Sequence, residues 1–141
     1  MDKRKTTGNE GEPFDKLRAG SVDKTRNRSI GNYGEEIACK YLEARGYRVL
    51  ERNLKLFCGE IDILAETPWK LGQKRAVVIV EVKTVTGSGY GGAVDLVRYR
   101  KQIKLRTLAK AISQDYPDRD LRIDVIGVDG NRINHIENAV N

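Results

Sequence analysis

From Ile30 the chain carries apolar and small residues at three- and four-residue spacing: Gly34, Ile37, Ala38, Tyr41 and Leu42. This rhythm predicts the buried stripe of an amphipathic helix. Ser29 offers an N-cap oxygen for its first turn, and Gly46 can close it in a left-handed cap. The two adjacent acids on this helix separate around its axis. Glu36 joins Lys40 and Glu43 on the solvated side, whereas Glu35 lies in line with Ala38 and Leu42 at the margin of the buried arc. An acid at that margin needs a reason; Glu36 does not.

The period then changes to two. Tyr47 to Leu54 alternates moderately, and Gly59 to Glu66 does so more cleanly, with Ile61 and Ile63 facing one way and Glu60, Asp62 and Leu64 the other. Ala76 to Thr84 is a continuous β-branched run ending in charge, as expected for a central strand buried on both faces. A second helix is predicted over Val94 to Gln114, with Leu105, Leu108, Ala109 and Ile112 inward. A fourth strand follows at Leu121 to Val128 and a short fifth at Arg132 to Ile136. The order α-β-β-β-α-β predicts an α/β fold in which helices flank a mixed central sheet. Outside the main pattern, Trp69 is expected to cover a small satellite cluster and His135 to be a surface residue of an edge strand. Asp124 is expected to pair with an arginine, Cys39 to lie near the core and Cys58 in a loop.

Residues 1–28 have scattered apolar positions and a net-basic mixture of Gly, Asn, Thr, Arg, Lys and Asp. They read as a mobile basic tail, which leaves 29–141 as one domain. The whole chain of 141 residues carries 26 basic and 20 acidic residues, a formal charge of +6. Such a field favours polyanionic partners, nucleic acid first, although charge alone does not choose one. One histidine and two cysteines argue against a Cys-rich zinc site, His-based zinc catalysis and a Ser-His hydrolase. No apolar run suits a transmembrane helix or a secretory signal, so a cytoplasmic protein with no membrane partner is expected.

The chemistry concentrates on two neighbouring strands. Glu81 and Lys83 share one face of the third strand, with Val82 opposite, and a hairpin between the second and third would stand Asp62 beside Glu81. Two adjacent carboxylates repel and do not stay ionised together without a cation. Mg²⁺, or Mn²⁺ in its place, resolves the conflict through hard oxygen ligands, waters and a substrate phosphate. An ammonium at Lys83 can then orient the attacking water or stabilise charge on the phosphate. Glu35 is a further candidate for a metal or water ligand, and Glu60 shares the face of Asp62. A Glu-x-Lys triplet arises roughly once by chance in such a chain, so its strand context carries the weight. Solvated strand ends paired as ordinary salt bridges are the competing explanation.

These residues also carry a resemblance. Gly34-Glu35 with Ala38, Tyr41 and Leu42, then Gly46-Tyr47, Arg52-Asn53, Gly59-Glu60-Ile61-Asp62, Val80-Glu81-Val82-Lys83, Lys101, Arg122-Ile123-Asp124 and Asn138-Ala139 resemble the YraN-like family. That bacterial family has a predicted restriction-endonuclease-like fold, similar in turn to archaeal Holliday-junction resolvases and the PD-(D/E)XK nucleases. The resemblance implies that Asp62, Glu81 and Lys83 match the metal-binding and catalytic positions, and Glu35 the acid of the first helix. Ile61 stands where the superfamily's name has Pro, and Ile123 replaces the usual Phe of an Arg-Phe-Asp stretch.

Together these readings predict a metal-dependent endonuclease acting on nucleic acid, DNA favoured over RNA, with branched or damaged DNA as candidate substrates. Asp62 and Glu81 would hold the metal with the Val82 carbonyl, Glu35 would act through water, and Lys83 would position the nucleophile. Lys101, Gln102 and Arg98 are candidate nucleic-acid contacts at the start of the second helix, Lys101 being also readable as a lysine whose stem covers the core edge. The glycine-rich loop 87–92 would let a phosphate backbone approach. A resolvase-like reaction needs two sites and hence a homodimer. The alternative is a non-catalytic module that binds nucleic acid or recruits a partner on the same scaffold.

Overall fold

The computed structural model describes residues 22–84 and 99–140. The chain divides into two compact units between Asn32 and Tyr33, and the second carries the whole sheet. Helix α1 spans Val22–Ala44 and is followed by β1 (Arg48–Leu56), β2 (Gly59–Glu66) and β3 (Val77–Thr84). Helix α2 (Tyr99–Ser113), β4 (Leu121–Asp129) and β5 (Arg132–Ile136) complete the order. The sheet runs β1-β2-β3-β4-β5, parallel only between β3 and β4. This is the expected mixed α/β arrangement. Residues 1–21 of the expected tail lie outside the described residues, as do the glycine-rich loop, Arg98 and the predicted helix start at Val94.

Two apolar clusters lie on the sheet's two faces. Ala38, Cys39 and Leu42 of α1 pack with Ile63, Ala65, Val78, Val80, Ile126 and Val128. Leu105, Leu108 and Ile112 of α2 pack with Leu64, Val77, Ile79 and Ile123. Val77 to Val80 are all fully buried, as a strand covered by helices on both sides must be. The first helix closes as its sequence predicts. Gly46 adopts φ +93, the Tyr47 amide donates to the Leu42 carbonyl and the Gly46 amide to Glu43, a Schellman cap. Its start differs: α1 begins at Val22 rather than at a Ser29 cap. The segment before Ser29 contains Lys24, Arg26 and Arg28, which favour helix without an apolar stripe.

Ile61 and Ile63 do not share a face. Ile63 joins the α1-side cluster and Ile61 the α2-side one. The β1–β2 register pairs Leu54 with Ile61 and Arg52 with Ile63, which sets Asn53 across from Asp62. Asn53 has φ +52, a left-handed conformation inside a strand. Strict alternation fails at this kink, and β2 rolls between Ile61 and Ile63. Asparagine is the non-glycine residue that tolerates this geometry best.

His135 is also not a surface residue: its side chain is only 5% exposed. It bonds Asp124, which is fully buried on β4. The Asp124 carboxylate accepts from Arg122 Nε (2.9 Å) and a second guanidinium nitrogen (2.8 Å), from the Asn138 amide (2.9 Å), and pairs with His135 Nε2 (2.7 Å). Arg122 also donates to the Tyr47 hydroxyl, and Tyr41 bonds His135 Nδ1. Burial pushes the Asp124 pKa up, but the His135, Arg122 and Asn138 hydrogen bonds win and hold it below its ordinary value. Asp124 thus pairs with arginine, as expected, and recruits the histidine as well.

The kink generates a stability prediction. Asn53→Gly should keep the unfolding free energy from urea titration within about 1 kcal/mol of wild type, whereas Asn53→Val should cost about 1–2 kcal/mol. Equal loss in both variants would show that the Asn53 side chain, not its backbone, matters.

Candidate metal and nucleic-acid site

The β2–β3 ladder runs from the Glu66–Val77 pair to the Ile63–Val80 pair and stops. Beyond it, the Val82 amide donates to Asp62 Oδ2 at 2.9 Å. A side-chain carboxylate thus takes an amide beyond the last ladder pair, at the edge where β2 and β3 part. Asp62 is partly buried there. Burial and the Glu81 charge push its pKa up to about 7, with Glu35 and Glu60 adding to them and the Val82 amide opposing. The sequence expects a β2–β3 hairpin to stand Asp62 beside Glu81, and the ladder, ending at the Ile63–Val80 pair, sets the two next in register.

Glu81 and Lys83 follow Val77 and Ile79 on the α2 side, whereas Val82 packs on the α1 side. Lys101 of α2 reaches Glu81 with Nζ–Oε2 2.8 Å, and the Glu81 side chain is only 14% exposed. Lys101 therefore belongs to the acid pair itself. Lys83 is exposed and Gln102 half-buried. Glu35 arrives from the other face through a close helix–strand contact. A Cβ on Gly34 would run into the Thr84 hydroxyl, so a glycine here lets α1 cross this end of β3 closely. One carboxylate oxygen of Glu35 is buried beside this crossing. Glu36, its neighbour, stays outside and pairs with Arg52 (2.9 Å) and Lys40 (3.9 Å).

Among the described residues no three His, Cys, Asp or Glu side chains form a ready-made metal cage. The donor set still fits a hard divalent cation, which commonly takes one or two carboxylates and keeps several waters. Asp62, Glu81 and the Val82 carbonyl are of that kind, and soft-metal ligands are absent from the set.

Two residues of the sequence mark this geometry. An asparagine inside a strand marks the Asn53 kink, because strands are depleted in Asn. A glycine inside a helix marks the Gly34–Thr84 approach. Trp69 differs from expectation: it is 63% exposed and covers no cluster. With Gln73, Arg75 and Arg119 it borders an open depression of about 380 Å³ at the far end of β2. There Glu66 is tied to Arg119 (2.6 Å) and Arg75 (3.2 Å).

The raised Asp62 pKa fixes a pH dependence. The unfolded chain releases this proton in the ordinary carboxylate range, whereas the folded chain keeps it up to about pH 7. Metal-free stability therefore falls as pH rises through that window, by at most on the order of 4 kcal/mol. Asp62→Asn has no proton to lose. Thermal unfolding in chelator should show the variant gaining on wild type between about pH 5 and about pH 8. A difference that does not change with pH would contradict the assignment.

The chain matches the family described as Uncharacterised protein family UPF0102 over residues 34–128. It is 38% identical to a UPF0102 protein of Desulforamulus reducens over 124 residues, covering 82% of this chain and 98% of that one. A UPF0102 protein of Clavibacter michiganensis subsp. michiganensis is 42% identical over 106 residues, covering 74% and 85% of the two chains. One of Mycobacterium tuberculosis is 44% identical over 108 residues, covering 74% and 81%. The matched span takes in Gly34, the kink at Asn53, Asp62, Glu81 to Thr84 and Asp124. With that span shared at these identities, the chain belongs to the UPF0102, or YraN-like, family.

Proposed function

We propose that this protein is a metal-dependent endonuclease that hydrolyses phosphodiester bonds in DNA. The observation that carries the reading is Asp62, held at the end of the β2–β3 ladder among Glu81, Glu35 and Glu60. A fold gains nothing from crowding acids at a strand end, and a divalent cation offsets their mutual repulsion. Asp62, Glu81 and the Val82 carbonyl would hold Mg²⁺ or Mn²⁺, which supplies Lewis acidity toward a phosphodiester and its attacking water.

The chain's own residues do the rest. Lys83, on the Glu81 face, orients the water and offsets charge that gathers on the phosphate. Lys101 bonds Glu81 and offsets part of the charge that bears on Asp62. Exposed Lys104 and Arg106 extend the basic surface of α2, where a phosphate backbone gains affinity without base readout. No helix among the described residues is long and apolar enough to cross a membrane.

Cleavage of labelled linear duplex, single strand, flap, four-way junction and RNA in Mn²⁺ tests this reading. Asp62→Asn, Glu81→Ala and Lys83→Ala should each lower cleavage by about 100-fold or more while remaining folded. Cutting by all three at the wild-type rate would rule out the site. Binding without cutting by wild type would leave a non-catalytic nucleic-acid module.

Metal binding has its own readout. Millimolar Mg²⁺ should raise the wild-type melting temperature above neutral pH and leave Asp62→Asn and Glu81→Ala nearly unmoved. Equal shifts in all three proteins would place the ion elsewhere.

A further inference from the structure

The β1–β2 hairpin closes with Leu56 paired to Gly59, so Phe57 and Cys58 form a two-residue loop. Such loops favour Asn-Gly or Gly at their centre, and a phenylalanine there does not serve the turn. Nor does it serve the core: Phe57 is 93% exposed, more than any other large apolar residue among those described. Its neighbours behave in the opposite way. Leu56 and Cys58 pack against the α2-side cluster. A Cβ on Gly59 would lie 3.1 Å from Lys104 Cε and 3.4 Å from a Leu108 methyl, so the base of the hairpin is pressed against α2. The tip is anchored on both sides of an aromatic ring that none of the described residues covers.

A cation stands at the base of the hairpin, and the helix that carries it leads to the acid pair. Lys104 touches the hairpin base, and one helical turn earlier Lys101 bonds Glu81. Asp62 lies three residues along β2 from Gly59, and Phe57 stands in the turn before Gly59. Three steps of strand span about 10 Å, the length of about three stacked nucleotides, and the turn sets the ring beyond that. A single strand of DNA whose backbone follows Lys104 and Lys101 would therefore bring one step to Phe57 and another to Asp62.

We propose that Phe57 is a wedge that inserts at an open or weakened base step and directs the site to DNA whose stacking is interrupted by a branch, flap or gap. An apolar ring gains by leaving water for a base step, and the cost of unstacking is smallest where the stack is already broken. Continuous duplex is then the poorer substrate, because the protein must open a step before its ring can enter. The inference rests on the nuclease reading and names that reading's substrate class.

The test uses four-way-junction, flap and intact-duplex DNA carrying 2-aminopurine at successive positions, bound in Ca²⁺ and then cut in Mn²⁺. Wild type and Phe57→Tyr should raise the fluorescence of a base within about five nucleotides of the cut bond. Phe57→Ser should melt like wild type, since the ring is exposed. It should lose the fluorescence rise and reduce the preference for branched over intact DNA by about fivefold or more. Wild-type fluorescence and preference in Phe57→Ser would overturn the wedge while leaving the nuclease intact. A dimer that Phe57→Ser converts to monomer would also overturn it, by giving the ring to a second copy. Failure of wild type to bind any of the DNAs would overturn both readings.

Discussion

At the end of the β2–β3 ladder the Val82 amide goes to the Asp62 carboxylate, and the site's geometry depends on that bond. A strand end that frays into water satisfies its amides with solvent and fixes no side chain. Here the donor is satisfied by a side chain, so Asp62 is fixed in the gap between β2 and β3. That bond favours the ionised carboxylate, but burial and the charge of Glu81 outweigh it. The site is therefore under electrostatic stress that its own hydrogen bonds do not remove.

The same sheet buries a second aspartate whose fate is opposite. Asp124 is fully enclosed, yet two guanidinium nitrogens, an imidazole and a main-chain amide meet its oxygens. Its charge is answered on the spot, and the knot ties β4 to β5 and to Tyr47 and Tyr41. Removing one partner from such a buried cluster typically costs several kcal/mol, so this acid is structural. Asp62 has acids where Asp124 has cations. The two carboxylates differ in exposure and above all in neighbours: one is answered by cations and holds the fold, the other is pressed by acids.

Most of the architecture was legible because burial is periodic. The stripe of Gly34, Ala38 and Leu42, the apolar run before Glu81 and the Gly46 cap each name an element from local physics. What escaped depends on partners distant in sequence. His135 reads as an edge-strand residue until Asp124 and Tyr41 are seen on either side of its ring. Lys101 shows an inward bias, but its partner Glu81 lies across an intervening stretch of chain. Alternation put Ile61 with Ile63, because a periodic reading assumes a regular strand and the left-handed Asn53 breaks that assumption. Asp62 and Glu81 come together because the antiparallel ladder ends at the Ile63–Val80 pair and sets them next in register.

The position of β3 explains why this edge can be open and still be well defined. On one side β3 pairs in parallel with β4 through Thr84 and Val128, so Glu81 to Thr84 keep strand geometry to the end. On the other side, antiparallel pairing with β2 ends at Val80. The last four residues of β3 are thus paired by β4 on one edge and left unpaired by the β2 ladder on the other. A β2 ladder continued to the same length would bond the Val82 amide to main chain and close the gap beside Asp62. A missing β4 would let the acids drift apart. Ligand sites in open α/β sheets sit at the carboxyl ends of strands where pairing changes sense. β3 meets that description, and α1 and α2 reach the same end through the Gly34–Thr84 and Lys101–Glu81 contacts.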